Sequence, residues 1–473
     1  MSEGNGDDRG SRISRRGALE GLGALVSTAA LGGCSSDDDK QPGDGANHVH
    51  TADELLASID TIVVVMMENR THDHYFGALE LVEKRAVDGL KGGESNLASD
   101  GTSIDSFLLE AFTTPDDPPH GWEASHAQYN GGKQDGFVTE YEKTRTTDRG
   151  AVMGYYTRQQ LPVSYALADA YAVCTRWFAS VMGPTWPNRY FLHCATSEGL
   201  MTNVPLPAGV TMRGVLHQLA DAGITTGYYF SNLPFAALYA APGSPYLSID
   251  QFFTDAQAGT LPAVCLVDPI FTFSGTVGND DHPPADIREG QAFLASIHAA
   301  LAQSPQWNRC LLVIIYDEHG GYFDHVPPPK TSDQRPEFEQ LGFRVPSLVI
   351  GPKVKRGAVI DTQFEHVSVI ATITKKFKLE PLNARVSAAN DLSTCIDPSL
   401  LDKPQPPVNL PAVFSDTERQ MIFPGEDFGG QHELAKYVVE RGLLDPNAET
   451  LKSQRALVEH GLRLGAIRPI KRL

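Results

Sequence analysis

Positive charge, paired cysteines and strongly apolar segments are all scarce in this sequence, and each scarcity excludes something. Lysine and arginine number 39 against 58 acids, giving a formal net charge of -19. Phosphate backbones bind positive surfaces, so a chain whose main business is coating nucleic acid is excluded. A small phosphorylated substrate is not excluded, because a bound cation reverses the local field. The six cysteines include no C-x-x-C pair, which removes a zinc ribbon and a dithiol redox motif. Cys265 and Cys310 lie in apolar runs and read as buried thiols. A bridge between Cys174 and Cys194 stays open. The Gly/Ala-rich segment ending at Gly33 is too mild to read as a membrane span. No internal repeat occurs.

What is present is a chain of 473 residues with 43 glycines and 32 prolines, enough for a sizeable core joined by many turns and long loops. Near the start, Ser14-Arg15-Arg16-Gly17-Ala18-Leu19 resembles a twin-arginine export motif. Leu31-Gly32-Gly33-Cys34 resembles a lipoprotein processing box, with Gly32 less usual at its place. Residues 1–34 are therefore expected to be an export signal and are set aside from the fold. Residues 35–55 read as a flexible acidic tether. Residues 56–473 are expected to form a single catalytic domain with a helical C-terminal portion. The expected location is periplasmic, membrane-anchored through a lipid on Cys34, or secreted.

Two runs organise the rest. Leu311 to Tyr316 is apolar without alternation, the pattern of a strand buried on both faces. It delivers Asp317, Glu318 and His319, then Gly320-Gly321 and the pair Asp324-His325. Ile62 to Met67 has the same pattern and ends in Glu68-Asn69-Arg70. Strands are also expected over 224–230, 263–267 and 348–350. Helical spacing is expected over 162–178, 214–222, from Asp286 past Leu301, 365–377, 433–441 and 448–464. This alternation predicts a mainly parallel sheet covered on both faces. In such sheets ligands sit at the carboxyl ends of the strands.

Two carboxylates and several imidazoles delivered to one sheet edge suit a metal-assisted hydrolytic site. Glu68, Asn69, Asp317 and Glu318 offer oxygen to a hard cation. The loop carrying His120 and His126 is rich in Trp, Gly and Pro, as pocket-lining loops are. Gly183-Pro184-Thr185 precedes a helix, so Thr185 sits where free backbone N–H groups could hold a phosphate. A plain N-cap is the competing reading of Thr185.

Together these pieces resemble the secreted bacterial phospholipase C and acid phosphatase family, which includes the plant non-specific phospholipases C. The resemblance is carried by Glu68-Asn69-Arg70 with Asp73-His74-Tyr75-Phe76-Gly77, Gly183-Pro184-Thr185 with Pro187-Asn188-Arg189, and Asp280-Asp281-His282-Pro283. Tyr316 to Gly321 with Asp324 to Pro328, and Glu365-His366-Val367-Ser368, complete it. His72 and Thr175 depart from the family's pattern.

The resemblance implies an alkaline-phosphatase-like three-layer α/β/α sandwich. It implies a divalent cation, calcium, magnesium or manganese, held by Glu68, Asn69, Thr185, Asp317 and Glu318. It makes Thr185 the nucleophile of a phosphothreonine mechanism, with His120, His282 and His325 binding phosphate oxygens or protonating the leaving group. Asn188, Arg189, His126, His319 and Asp281 are expected around the substrate, and Asp324 and His366 behind the direct contacts. The expected substrate is a phospholipid or a small phosphate ester. Phospholipase C-type cleavage leads, broad phosphomonoesterase activity is the alternative, and a non-catalytic binding lipoprotein is a third reading. Sulfate ester cleavage is disfavoured because no Cys/Ser-x-Pro-x-Arg motif occurs at Thr185.

Overall fold

A computed structural model describes residues 49–144, 148–239, 246–273, 278–415 and 431–469. Apart from Val49, these fall in the unit His50–Leu473. The expected export signal over 1–34 lies outside the described residues, as does the tether up to residue 48. The tether ends sooner than expected. Helix α1, Ala52–Ala57, begins at Thr51 in a capping box. The Thr51 hydroxyl accepts the Glu54 N–H, and Glu54 accepts the Thr51 N–H at 2.8 Å.

The centre is an eight-stranded sheet. In chain order its strands are β1 (Thr61–Met67), β2 (Ala172–Cys174), β3 (Thr226–Phe230), β4 (Tyr246–Ser248), β5 (Val264–Val267), β6 (Cys310–Tyr316), β7 (Ser347–Ile350) and β8 (Val359–Ile360). Their spatial order is β8-β2-β7-β6-β1-β5-β3-β4. Only β7 runs against its neighbours β6 and β2; every other pairing is parallel. Every residue of β1 and β6 is buried, as their unalternating composition requires of central strands. Truncating one such side chain, Leu311→Ala for instance, costs about 2–5 kcal/mol.

Helices sort into two packed groups. Ile287–Ala302 packs on Pro162–Ala170, Ile249–Ala258 and Pro446–Leu464, whereas Val367–Phe377 packs on α1, Ala384–Ala388 and Thr185–Cys194. With the sheet buried between them, the architecture is the expected α/β/α arrangement with a mainly parallel sheet. The expected C-terminal helices occur as His432–Glu440 and Pro446–Leu464. Among the described residues no helix is long and apolar enough to cross a membrane.

Two expectations need correction. Helical spacing over 162–178 ends at Ala170, because Tyr171 turns extended and Ala172–Cys174 enters the sheet between β7 and β8. Cys174 and Cys194 are not bridged. All five cysteines among the described residues are free and buried, and Cys174 lies against Cys395 instead.

Candidate active site

Adjacency of β1 and β6 makes the site. Met67 pairs with Tyr316 in parallel register, so Glu68-Asn69 and Asp317-Glu318 leave the same sheet edge side by side. The backbone stitches them together. The Asp317 N–H donates to Met67 O at 3.0 Å, the Arg70 N–H to Glu318 O at 3.0 Å, and the Asn69 N–H to Asp317 Oδ1 at 2.9 Å. Asn69 takes a left-handed φ of 61°, which asparagine tolerates. Gly320 closes against it, where a Cβ would lie 2.3 Å from Asn69 O.

Thr185 opens helix α2, Thr185–Cys194, with Pro184 rather than Thr185 at the cap position. Asn188 wires the preceding turn. Its Oδ1 accepts the Val181 N–H at 2.8 Å, and its Nδ2 donates to Gly183 O at 3.0 Å and Pro184 O at 3.2 Å. One turn along the helix, Arg189 donates to Glu68 Oε1 at 3.2 Å and to Met66 O at 3.1 Å. Residues four apart share a helix face, so Thr185 lies on the face turned toward Glu68. Its hydroxyl caps nothing: Oγ1 is buried and has no hydrogen-bond partner among the described residues.

The four acidic and amide side chains share that peculiarity. Glu68 Oε2, Asn69 Oδ1, Asp317 Oδ2 and Glu318 Oε1 are buried without a hydrogen-bond partner among the described residues, while each carboxylate's other oxygen is engaged. Glu68 Oε1 accepts from Arg189 and from Gln431 Nε2, the latter at 2.6 Å. Asp317 Oδ1 accepts the Asn69 and Glu318 N–H groups. Glu318 Oε2 accepts the Gly320 N–H at 2.7 Å and lies 2.9 Å from His319 Nδ1. Bare buried carboxylate oxygens are expensive unless a cation neutralises them. An oxygen-only donor set fits a hard divalent ion. Without one, burial raises Glu68 against the opposing pull of Arg189. Burial and the neighbouring Glu68 push Asp317 up to about 6. Burial also drives Glu318 well above the carboxylate range, against the pull of His120.

His120 and His282 flank this set. His120 Nε2 lies 3.7 Å from Glu318 Oε1 and 3.4 Å from Asn69 Nδ2. Both rings hold Nδ1 2.7 Å from a carbonyl, Pro118 O and Pro283 O respectively. A carbonyl only accepts, so each Nδ1 carries a proton and each Nε2 faces away from the backbone. Asp117 stands between the rings, 3.5 Å from His120 Nδ1 and 4.0 Å from His282 Nε2. Asp117, His120 and His282 bring one ligand-type atom each within 4.8 Å of one another, close enough to hold an ion. Burial pulls His120 down, but Glu318 and Asp117 overcome it and lift the ring to about 9. Burial, with His120 adding to it, lowers His282 despite Asp117.

A family model described as the phosphoesterase family matches residues 59–380. The chain belongs to that family. It is a hydrolase of phosphoric ester bonds, which sets aside the non-catalytic binding protein. This phosphoesterase is 32% identical to non-specific phospholipase C6 of Arabidopsis thaliana, over 81% of its own chain and 83% of the relative. It is 35% identical to non-specific phospholipase C1 of the same plant, over 69% and 68%. A solved structure of an alkaline phosphatase superfamily protein from Vibrio parahaemolyticus is similar at 14% identity and a TM-score of 0.34, covering 78% and 88%.

Several expected substrate contacts are spent inside the phosphoesterase instead. Arg189 is buried between Glu68, Asp268 and the Phe271 ring, so it holds a carboxylate in place. Asn188 is used up by the turn before Thr185. His319 sits between Glu318 and Gln128 Oε1, which is 2.7 Å from its Nε2. Asp281 accepts from Tyr316 at 2.6 Å and packs beneath the loop, its carbonyl gripped by Arg70. His126 lies on the helix after His120, with Nδ1 on Trp122 O and the ring against Trp122.

The largest displacement concerns His325. It is bonded to Asp73 at 2.6 Å, in a network where Arg344 also holds Asp73 and Asp324. Asp73, Asp324 and His325 converge tightly enough for an ion, yet the Arg344 guanidinium, with the His325 ring, already offsets the two carboxylates. His325 and Asp324 therefore belong to a buried ion network and not to the oxygen set. His366 does sit behind a donor, with Nε2–H on Asp317 O at 2.6 Å.

Asp117 and Gln431 escaped the sequence reading. Asp117 stands three residues before His120, a spacing that could have flagged it. Gln431, which also accepts the Trp186 indole N–H at 3.0 Å, lies beyond the matched span, with no local signal at all.

Proposed function

We propose that this phosphoesterase is an exported phospholipase C-type hydrolase that cleaves the phosphodiester of a phospholipid through a phosphothreonine on Thr185. The observation that carries the reading is one buried hydroxyl and four buried oxygens of Glu68, Asn69, Asp317 and Glu318, all without hydrogen-bond partners among the described residues. That donor set suits calcium, magnesium or manganese. When bound, such a cation supplies positive charge against the phosphate and acidifies a hydroxyl held on it. The names of the plant relatives favour a diester.

The chain's own groups do the rest. Thr185 Oγ1 attacks phosphorus and gives its proton to the neutral His282. The bond from phosphorus to the glycerol oxygen breaks, and that oxygen takes a proton from charged His120 as diacylglycerol leaves. Water then attacks phosphorus and gives a proton to His120. The bond from phosphorus to Oγ1 breaks as Oγ1 recovers the proton held on His282, freeing the phosphorylated head group. Charged His120 also faces the non-bridging oxygens. The twin-arginine and Cys34 motifs support action outside the cytoplasm, near a membrane.

The test compares initial rates on phosphatidylcholine and on 4-nitrophenyl phosphate, with and without chelator. We expect turnover that chelation abolishes, and a preference for the diester of about tenfold or more. A reversed preference identifies a broad phosphomonoesterase instead. Thr185→Ala is expected to lower turnover about a thousandfold or more and to remove any phosphate adduct seen by mass spectrometry. An adduct persisting in that variant refutes the nucleophile.

A further inference from the structure

We infer that the uncharged loop 199–212 is the surface through which this enzyme engages a phospholipid bilayer, an inference that rests on phospholipid being the substrate class. The loop reads GLMTNVPLPAGVTM, fourteen residues without Asp, Glu, Lys, Arg or His in a chain of net charge -19. Some of its side chains turn inward and others stand out. Leu200, Met201 and Leu206 pack partly on the main core, and Met212 is buried. Val204 and Val210, by contrast, are 41% and 38% exposed. Pro205, Pro207 and Gly209, whose φ is +85°, occupy the tip between them and hold it in a non-helical form.

Location gives this apolar tip its meaning. Asn203 Oδ1 accepts the Trp186 N–H at 2.8 Å, and Trp186 follows Thr185 directly. The middle of the loop is thus pinned to the turn that presents the hydroxyl. A lipid met by Val204 and Val210 is met beside the helix N-terminus where its phosphate must go. Acidic surfaces repel anionic phosphates and lose hydration on contact with a bilayer, so an uncharged window is what such a chain needs there. Two arginines frame the window. Arg213 ends it, and Arg335 reaches its start, where a Cβ on Gly199 would lie 3.0 Å from Arg335 Nη1. Their side chains are 57% and 43% exposed, each paired with surface acids, Asp221 for the first and Glu198 and Glu337 for the second. Such half-exposed guanidinium groups suit a headgroup layer.

The test uses the full chain carrying Cys34→Ala, so that no acyl group contributes, and flotation with phosphatidylcholine vesicles. The Val204→Asp/Val210→Asp variant is expected to lose vesicle binding about tenfold relative to this parent, with its turnover of the water-soluble ester 4-nitrophenyl phosphorylcholine unchanged. Equal flotation of the two proteins, or no flotation of the parent, overturns the inference, and capture of another protein by the loop does not rescue it. Flotation requires no turnover. A parent that floats but cleaves no phosphatidylcholine therefore refutes the substrate reading and leaves the lipid-facing loop standing.

Discussion

Asp317→Asn should make the cation-free enzyme more stable while destroying its activity. Asp317 is fully buried, and burial together with Glu68 pushes its carboxyl up to about 6 from an ordinary 3.8. A carboxyl whose pKa is raised on folding binds its proton more tightly in the folded state. The folded protein therefore loses stability as pH rises from about 4 to about 6, and the full penalty persists above that range. The shift of about two units corresponds to roughly 3 kcal/mol at pH 7. Asparagine keeps Oδ1 for the Asn69 and Glu318 N–H groups and removes the charge. In chelator at pH 7, urea denaturation of Asp317→Asn should show a higher midpoint than the parent, with a shallower dependence between pH 4 and 6. Adding calcium, magnesium or manganese should stabilise the parent, by about 2.7 kcal/mol at a hundred times Kd, and leave the variant unmoved. A variant less stable than the parent in chelator, or one that still responds to the cation, refutes the claim that these carboxylates are strained until an ion is present.

Two further outcomes follow from residues that the sequence did not flag. Asp117→Ala removes one of the acids that hold His120 at about 9, so the alkaline limb of the kcat/KM profile should move down by about one unit; an unmoved limb removes Asp117 from the reaction. Gln431→Ala frees one of the donors on Glu68 Oε1, and calorimetric titration should show cation affinity reduced about tenfold. Unchanged affinity means Arg189 alone fixes that carboxylate.

The sequence revealed the two central strands because neither alternates, and it revealed their donors because chemistry-bearing residues begin where the apolar run stops. Register could not be read: only pairing of Met67 with Tyr316 sets Glu68 beside Asp317. Arg189 and His319 looked like substrate contacts because residue type says nothing about which partner saturates a side chain. His325 misled for the same reason, since its partner Asp73 is 252 residues away. The reversal of β7 and the early end of the helix at Ala170 were hidden too, because short buried segments such as Ala172–Cys174 carry no period of their own.

Gln431 touches both halves of the proposed reaction centre, the Glu68 carboxylate and the Trp186 indole beside the proposed nucleophile. The family's matched region stops at residue 380. A fragment cut there for crystallography or engineering would keep every proposed oxygen donor yet leave Glu68 free to swing on one side. The same holds for a nascent chain on the ribosome: its sheet can assemble, but the Glu68 carboxylate gains its second clasp only after Gln431 has been made.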